Sequence, residues 1–293
     1  MPPPAYALAT VEHQGRAHAC IESGGRFFPL AELGLPAALV AAFERWPELA
    51  AKVERAAASL RDGWSAAEVR VLTPLQFPGK VLCAGANYYD HLQEMGVQDL
   101  RKEAQRLFFF FKPPRNALVG PGKTVRHPAR SKMFDWEIEL AAVIGRTAKD
   151  LTPENALDCV AGYTVGIDLS ARDLNQAPDT FYKLDWVAGK AQDTCCPLGP
   201  RIVPAALLGA PHDLALELKV NGATKQSSRT SGMIFDLREQ LALLSSIMTL
   251  DPGDVLLTGT PAGVGFPKRT FLKPGDRITA TIERIGTLEV EIE

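Results

Sequence analysis

Three carboxylates in the middle of the chain have the types and spacing of a divalent-metal site. Glu137 and Glu139 are two residues apart in FDWEIELAAVIG, so they share one face if this segment is a strand. Asp168 ends the apolar run of YTVGIDLS, where a buried carboxylate is costly unless a positive charge meets it. Oxygen ligands suit Mg²⁺ or Mn²⁺, with Ca²⁺ as an alternative, better than zinc. We therefore predict that these three side chains bind such an ion.

The alternation of glutamates alone does not distinguish a metal site from an exposed strand. The C-terminal segment LEVEIE places Glu289, Glu291 and Glu293 at the same spacing, and we interpret those three as solvated. The metal hypothesis therefore depends on convergence with Asp168, because carboxylates that meet at two strand ends repel one another without a cation. For Asp135 the sequence leaves two roles open, support of the metal ligands or an ordinary strand residue.

A histidine and a glutamate upstream of this cluster have the spacing of a catalytic base. His91 and Glu94 in GANYYDHLQEMG are three residues apart, which makes them neighbours on one face of a helical turn. A carboxylate beside an imidazole fixes its tautomer and raises its basicity, so the pair could activate a water molecule. The alternative is an incidental pair on a surface helix, which the spacing by itself favours.

Two further segments carry residues that could meet an anionic substrate. Lys190 in DWVAGKAQDTCCPLGP could pair with a substrate carboxylate or a developing oxyanion, although alone it is better interpreted as a loop lysine. Cys195 and Cys196 have no histidine nearby in sequence, which disfavours a cysteine nucleophile. LLTGTPAGVG lacks the Walker lysine and the GxGxxG order, so we favour a loop whose amides and Thr260 hydroxyl face a small anion over a nucleotide site.

The composition restricts the partners and the compartment. The chain of 293 residues has a formal net charge of -2, so nothing indicates binding to nucleic acid or to an anionic membrane. Five cysteines, an odd number without a CxxC pair, are typical of a reducing compartment. We find no secretory signal and no apolar run of membrane-spanning length, and we predict a cytoplasmic protein with a small-molecule substrate.

The hydrophobic pattern predicts a strand-dominated α+β fold in two parts. Residues 1–73 form a small N-terminal α+β domain, and residues 74–293 form the larger domain that carries the candidate site. The first part combines short strands with a helical pattern over 36–61, which Trp46-Pro47 divides into two helices. Residues 74–79 are interpreted as a linker.

The larger domain is predicted to consist mostly of strands. We expect helices at 152–160, with Thr152 as N-cap, and at 236–246. Asn221-Gly222 is a strong hairpin signal. The short, intensely apolar run from Phe108 to Phe111 is interpreted as a buried strand.

The segments between Lys80 and Ile292 resemble, in this order, the fumarylacetoacetate hydrolase family. The resemblance rests on GANYYDHLQEMG, FDWEIELAAVIG, GYTVGIDLSARD, the GK…CPLGP segment, MIFD and LLTGTPAGVG, which are specific together and not singly. It implies a mixed β-sandwich or β-roll catalytic domain, and an enzyme of the acylpyruvate hydrolase or 2-hydroxyhepta-2,4-diene-1,7-dioate isomerase type. Members of this family are commonly dimers, so a homodimer is expected.

The resemblance implies roles for the residues already singled out. The metal motif of the family falls on Glu137, Glu139 and Asp168, and its water-activating pair falls on His91 and Glu94. The implied substrate is an acylpyruvate-like 1,3-dicarbonyl acid of the fumarylpyruvate or fumarylacetoacetate type. Its carboxylate and 2-oxo oxygens would chelate the ion, which acts as a Lewis acid while water attacks the distal carbonyl and the C–C bond breaks.

Four further positions bear on the substrate. The active-site lysine of the family falls on Lys190, the threonine of its TGTP segment on Thr260, and the arginine of its RD segment on Arg172. Many members have glutamine three residues after that arginine, whereas this chain has Asn175, followed by Gln176. Asparagine is one methylene shorter, so this departure puts the exact substrate in doubt and leaves the metal site unaffected.

The same metal chemistry serves several reactions, and the sequence does not choose among all of them. Isomerisation of a 2-oxo-3-ene acid, decarboxylation of a β-oxo acid and hydration of a dienoate are the alternatives to hydrolysis. The His91–Glu94 pair favours hydrolysis or decarboxylation. A non-catalytic metal-binding protein is the competing class, and it predicts that Glu137→Ala changes stability or nothing.

Overall fold

A computed structural model describes residues 4–293, which form two large β-sheets, a two-stranded ribbon and several short helices. The strands are β1 (Ala7–His13), β2 (Arg16–Ser23), β3 (Arg26–Pro29), β4 (Trp64–Ser65), β5 (Arg70–Val71), β6 (Val81–Gly85), β7 (Phe108–Lys112), β8 (Leu118–Val119), β9 (Thr124–Val125), β10 (Phe134–Asp135), β11 (Ile138–Ile144), β12 (Val160–Ile167), β13 (Ser170–Ala171), β14 (Cys196–Pro204), β15 (Ala215–Val220), β16 (Ala223–Arg229), β17 (Val255–Leu257), β18 (Arg277–Ile282) and β19 (Gly286–Ile292). The helices are α1 (Leu39–Phe43), α2 (Trp46–Ala57), α3 (Tyr89–Glu94), α4 (Arg172–Asn175), α5 (Trp186–Lys190), α6 (Ala205–Leu208) and α7 (Leu237–Ile247).

The larger sheet has twelve strands and contains the strands that position the candidate site. Ten of them follow the order β4-β3-β2-β1-β14-β12-β11-β17-β6-β7, with β5 beside β1 and β8 beside β14. The central strands β11 and β12 are antiparallel and buried along their whole length. Such strands need apolar side chains on both faces, which explains the unbroken runs in IELAAVI and VAGYTVGI.

A five-stranded sheet covers one face of the larger sheet. Its order is β16-β15-β18-β19-β9, and β18 and β19 lie against β12 and β14. Its strands alternate between buried and exposed residues, as in ALELKV, because only one face meets the core. Two sheets packed face to face, with few helices, confirm the predicted strand-dominated α+β sandwich.

The N-terminal part forms an antiparallel meander that continues the larger sheet. Leu8 on β1 lies opposite Ile202 on β14, and both belong to the same buried cluster. The helical pattern is divided as predicted, because α1 ends at Phe43 and α2 begins at Trp46 with a proline in its first turn. The boundary between residues 73 and 74 stays a prediction.

The helix predicted at 152–160 is wrong. Residues Ala156–Cys159 form a single 3-10 turn, and Val160 already begins β12. Oδ1 of Asn155 accepts a hydrogen bond from the amide of Thr152 at 3.0 Å, which closes a turn where an N-cap was expected. The helix predicted at 236–246 is confirmed as α7, which Asp236 caps together with Glu239.

The apolar run Phe108 to Phe111 is a strand, but the prediction that it is buried is wrong. It belongs to β7, the last strand of the larger sheet, and Phe111 is 54% exposed. An edge strand packs mainly through one face, which here carries Phe108, Phe110 and Lys112. The predicted hairpin at Asn221-Gly222 is confirmed, with both residues at positive φ between β15 and β16.

Two expectations about the whole protein are not decided by the fold. No helix among residues 4–293 is long and apolar enough to cross a membrane. All five cysteines are buried and unpaired. The cytoplasmic location and the homodimer stay predictions.

We expect Leu8→Ala to lower the free energy of unfolding by about 2–5 kcal/mol, because Leu8 is fully buried where β1 joins β14. The matched control is Leu33→Ala, since Leu33 is 38% exposed and its loss should cost no more than about 0.5 kcal/mol. Urea denaturation followed by far-UV circular dichroism measures both. Equal losses of unfolding free energy in the two variants would contradict a hydrophobic core shared by the N-terminal part and the larger domain.

Candidate functional site

The three predicted metal ligands meet at one end of the antiparallel pair β11 and β12. Glu139 lies on β11 with Glu137 just before it, and Asp168 directly follows β12. Ile138 pairs with Ile167, which brings the start of one strand beside the end of the other. One carboxylate oxygen from each of the three side chains lies within 4.8 Å of the others. Strand pairing therefore brings together the three carboxylates that the sequence singled out.

The three carboxylates are buried, and one of their oxygens has no hydrogen-bond donor. Glu137, Glu139 and Asp168 are 5%, 1% and 1% exposed. Oδ1 of Asp168 accepts no hydrogen bond, although the Lys112 ammonium lies 2.7 Å from it. A buried carboxylate oxygen without a donor is costly. This set of oxygen ligands therefore fits a hard divalent cation such as Mg²⁺ or Mn²⁺.

A buried lysine that the sequence analysis did not identify balances Asp168. Nζ of Lys112 donates to the carbonyl oxygens of Leu169 at 3.0 Å, Lys190 at 2.7 Å and Cys195 at 3.0 Å. Burial by itself would lower the pKa of this lysine, but the nearby Asp168 charge outweighs it and raises the pKa of Lys112 well above its usual value. Lys112 therefore stays charged inside the protein and connects three backbone segments to Asp168.

Two further cations keep Glu137 ionised. Nζ of Lys190 lies 2.8 Å from Oε2 of Glu137 and 2.6 Å from Oδ2 of Asp168. Nη2 of Arg172 lies 2.5 Å from Oε1 of Glu137, and its Nε donates to Asp135 at 3.0 Å. Burial would raise the pKa of Glu137, but the charges of Arg172 and Lys190 outweigh it and hold that pKa well below its usual value. Asp135, the last residue of the strand β10, thus also orients Arg172, so features of both roles left open for it are present.

Glu139 has the opposite electrostatic environment. Its Oε2 accepts a hydrogen bond from the amide of Gly259 at 2.6 Å. Burial, together with the charges of Asp168 and Glu137, raises the pKa of Glu139 well above its usual value. A divalent cation bound beside Glu139 would offset this repulsion and favour the ionised carboxylate.

The predicted catalytic pair is formed on the short helix α3. Nδ1 of His91 lies 2.8 Å from Oε1 of Glu94, and Oε2 of Glu94 accepts a hydrogen bond from the amide of Gly263 at 2.9 Å. Both glutamate oxygens are therefore occupied, and the imidazole cannot rotate without losing its partner. With Nδ1 bound to the carboxylate, Nε2 is the nitrogen left to exchange a proton with a ligand.

The glycine-rich loop after β17 differs from the expectation that its amides face a substrate anion. The amides of Gly259, Gly263 and Gly265 donate to Glu139, Glu94 and Asp135, respectively. Glycine is required because a Cβ at Gly263 would lie 2.0 Å from the Lys225 carbonyl oxygen, and one at Gly265 would lie 1.9 Å from the Thr270 carbonyl oxygen. The loop thus holds the carboxylates of the site itself.

The predicted substrate contacts Arg172, Asn175 and Thr260 also lie at the site. The Asn175 side-chain amide donates to the Asp185 carbonyl at 3.1 Å, which ties α4 to the start of α5. The Thr260 hydroxyl donates to the Ile138 carbonyl at 2.9 Å. The Thr260 hydroxyl proton is therefore bound by the backbone between Glu137 and Glu139.

Gln226 is a second residue that the sequence analysis did not identify. Its Nε2 donates to the Thr260 hydroxyl and to the Pro261 carbonyl, both at 2.8 Å, and its Oε1 accepts from the Ile138 amide at 3.0 Å. No local pattern marks Gln226, since it lies on β16 in the other sheet. The sequence did contain an indication that Lys112 is buried, because alternation along β7 places it on the same face as the buried Phe110.

A cavity of about 270 Å³ opens directly above these carboxylates. It is lined by Ala84, Gly85, Ala86, His91, Leu92, Met95, Val97, Phe108, Phe110, Glu137, Glu139, Asp168, Arg172, Asn175, Trp186, Lys190 and Thr260. All the predicted site residues except Glu94 line it, and Glu94 contacts His91 from outside the cavity. The volume suits a small organic acid.

The family relationship follows from comparison with known proteins. The model of the fumarylacetoacetate (FAA) hydrolase C-terminal domain matches residues 80–293. The chain belongs to the fumarylacetoacetate hydrolase family. The resemblance and the fold class inferred from the sequence are thereby confirmed, and the site lies wholly within the matched region.

Relatives of this family member include proteins with different reactions. It is 38% identical over 256 residues to the mitochondrial oxaloacetate tautomerase Fahd2a of Rattus norvegicus, covering 87% of this chain and 79% of that one. The structure of fumarylacetoacetate hydrolase from Exiguobacterium antarcticum is similar at a TM-score of 0.80 and 34% identity, covering 98% and 99% of the two chains. The structure of maleylpyruvate hydrolase from Sphingobium sp. SYK-6, in complex with manganese (II) ion and pyruvate, is similar at a TM-score of 0.78 and 28% identity, and the match covers 98% of each chain.

We expect Glu139→Ala to weaken Mn²⁺ binding by at least about 10–100-fold, because it removes one of the three predicted oxygen ligands. The matched control is Glu291→Ala, which removes an exposed glutamate from a strand with the same alternation. Titration with Mn²⁺, with the free ion followed by electron paramagnetic resonance, measures both affinities. Equal affinities of the two variants would rule out Glu139 as a ligand.

We expect Lys112→Met to lower the free energy of unfolding by about 3–5 kcal/mol, because it removes one of the two buried ammonium partners of Asp168 and leaves Lys190 as the other. Lys52→Met, at an exposed position of α2, is the control and should change stability by no more than about 0.5 kcal/mol. Urea denaturation is the measurement. A loss below about 1 kcal/mol in Lys112→Met would contradict the role assigned to this lysine.

Proposed function

We propose that this protein is a divalent-metal-dependent hydrolase that cleaves a C–C bond in an acylpyruvate-like 1,3-dicarbonyl acid. The observation that carries the proposal is the position of His91. Its ring lines the same cavity as Glu137, Glu139 and Asp168, and Glu94 fixes its orientation from outside the cavity. A base beside an oxo-acid site is what hydrolysis of such a substrate requires.

In this proposal the pyruvate half of the substrate binds to the floor of the cavity, which is formed by the charged residues Glu137, Glu139, Asp168, Arg172 and Lys190. Glu137, Glu139 and Asp168 would hold Mg²⁺ or Mn²⁺, which supplies Lewis-acid polarisation of the carboxylate and 2-oxo oxygens when bound. Lys190 contacts two of these ligands, so it lies where negative charge develops on the leaving fragment. Arg172 is held by Asp135 and fixes the position of Glu137.

His91 performs the proton transfer. Its Nε2 accepts a proton from a water molecule, while Glu94 stabilises the resulting imidazolium through Nδ1. The water oxygen forms a bond to the distal carbonyl carbon, and the bond between that carbon and the adjacent methylene breaks. The electron pair of this bond remains on the three-carbon fragment, which takes back the proton held by the His91 imidazolium to become pyruvate, and the imidazole is neutral again. The other product is the carboxylic acid of the acyl group.

Relatives of the chain support this assignment. The similar maleylpyruvate hydrolase was solved with manganese (II) ion and pyruvate. Fumarylpyruvate hydrolase from Pseudomonas aeruginosa, 33% identical with a TM-score of 0.67 over 76% of this chain and 91% of that one, was solved with Mn²⁺ and pyruvate. Pyruvate is the product that the proposed cleavage leaves on the floor of the cavity.

Keto–enol isomerisation of oxaloacetate is the second candidate function. The relatives described as oxaloacetate tautomerases have higher identity, 38% in the rat protein and 41% in Homo sapiens, than these hydrolases. The same residues would serve, because His91 could move a proton between the carbon next to the 2-oxo group and the enol oxygen. This reaction requires no attacking water.

The two candidates are separated by an assay of the metal-stripped protein, with and without added Mg²⁺ or Mn²⁺. Loss of the enol absorbance of an acylpyruvate with release of pyruvate, only when metal is present, supports the hydrolase. Metal-dependent turnover of oxaloacetate or of a 2-hydroxymuconate-type dienoate alone moves the reaction to a tautomerase, decarboxylase or isomerase. No turnover with either metal contradicts both candidates and supports a non-catalytic protein.

We expect His91→Ala to lower kcat/KM for the acylpyruvate by about 10²–10⁴-fold, because it removes the base that activates water. Mn²⁺ affinity should be unchanged, since His91 is not among the three ligands. His13→Ala, which removes a histidine stacked on Trp64 outside the cavity, is the control for general effects of the substitution. Undiminished turnover in His91→Ala would refute the proposed role.

A further inference from the structure

The cavity above the metal ligands has two chemically different ends. Its floor is formed by buried charged groups, whereas the side chains around its mouth are apolar and partly exposed. Phe108 and Val97 are each 37% exposed, Met95 is 40% exposed and Trp186 is 36% exposed. Among the described residues around the mouth, Asn175 supplies the polar side chain, and its amide already donates to the Asp185 carbonyl.

The aromatic part of the mouth is held in place by packing. Trp186 stacks on Phe110 with ring centroids 5.1 Å apart and meets the edge of Phe108 at 5.5 Å. The ring of Phe108 covers Gly85, where a Cβ would lie only 2.0 Å from it. The chain therefore has a glycine where any side chain would displace this wall. A surface that is built and held in this way is ready to receive an apolar group.

The cations of the floor are already paired with carboxylates of the protein. No unpaired cation is left there for an anionic group of the substrate other than its oxo-acid carboxylate. Arg172 and Lys190 are the permanently charged cations of the cavity lining, and each lies within 3 Å of a carboxylate. With Lys112 they form a set of three cations. They face four carboxylates, which are Asp135, Glu137, Glu139 and Asp168, and a fifth carboxylate of the set, Glu94, pairs with His91. A divalent ion brings this set to neutrality when His91 is neutral.

We infer that the acyl group of the substrate ends in an uncharged apolar substituent, alkyl or aryl, and not in a carboxylate. This inference rests on the proposed function, because it takes the oxo-acid end of the substrate to bind on the floor. A terminal carboxylate on an acyl chain of four carbons would lie at the mouth, against Phe108 and Trp186, without a cation to pair with it. The fumarylpyruvate-type substrate expected from the family resemblance is thereby disfavoured.

The test compares two matched ligands on the Mn²⁺-loaded protein. N-propyl oxamate and N-(2-carboxyethyl) oxamate are unreactive 2-oxo-acid analogues that differ by a terminal methyl or carboxylate group. Isothermal titration calorimetry should give an N-propyl oxamate affinity at least about tenfold higher. In parallel, kcat/KM for butanoylpyruvate should exceed that for succinylpyruvate by a similar factor.

The outcomes separate the inference from the proposed function. Preference for the propyl analogue without turnover of either acylpyruvate supports the apolar mouth and contradicts the hydrolase. Turnover of both acylpyruvates with equal or better use of the carboxylate-ended one overturns the inference and keeps the hydrolase. Failure of both analogues to bind contradicts oxo-acid binding itself, and with it both proposals.

Variants at the mouth provide the second measurement. Val97→Lys adds a cation beside the cavity and should lower the preference for the propyl analogue by about two- to fivefold. Ile247→Lys, at a 61% exposed position outside the cavity, adds the same charge and should leave the preference unchanged. A preference that is equal in the two lysine variants overturns the inference.

Removal of the aromatic wall gives an independent check. Phe108→Ala should weaken binding of the propyl analogue by about fivefold or more and change binding of unsubstituted oxamate less. Phe111→Ala, on the same strand but directed away from the cavity, is the matched control and should change neither affinity. An equal loss for both oxamates in Phe108→Ala would assign this residue to the general stability of the site and contradict its contact with the acyl group.

Discussion

The convergence of buried carboxylates at the ends of β11 and β12 is the constraint on which the rest of the site depends. Glu137, Glu139 and Asp168 are removed from water by the sandwich, and each carboxylate must meet a cation or a hydrogen-bond donor. Those partners come from elements that are distant in sequence. Lys112 arrives from the edge strand β7 and Lys190 from α5, so both elements are held to the centre of the sheet by charge as well as by packing.

The loop after β17 completes this arrangement from the other side. Because β17 lies beside β11, the loop begins next to the clustered carboxylates, and its successive amides donate to Glu139, Glu94 and Asp135. One segment therefore orients Glu139, the glutamate that pairs with His91 and the carboxylate that holds Arg172. The close approach of Gly263 and Gly265 to neighbouring backbone leaves no space for side chains. The glycines that suggested an anion-binding loop thus hold the protein's own anions.

Local pattern was sufficient for the parts of the site that depend on one or two elements. Alternation placed Glu137 and Glu139 on one face, helical spacing paired His91 with Glu94, and the end of an apolar strand marked Asp168. What could not be predicted depends on contacts across the fold. Gln226 reaches Thr260 from another sheet, and Lys112 contacts Asp168 from 56 residues away. The exposure of Phe111 followed from the position of β7 at the sheet edge, which apolar composition does not encode.

The cavity has a charged floor and an apolar mouth, and this division explains why membership of the family does not determine the substrate. The floor is cross-linked by ion pairs and backbone hydrogen bonds, so a change at Lys190, Arg172 or Gly259 disturbs several partners at once. Residues at the mouth, such as Val97 and Met95, are partly exposed and carry none of these ion pairs. Substitution there costs little stability, so the mouth can change while the buried floor is retained. The substrate of this chain must therefore be inferred from its own mouth residues, even where the floor matches that of a relative.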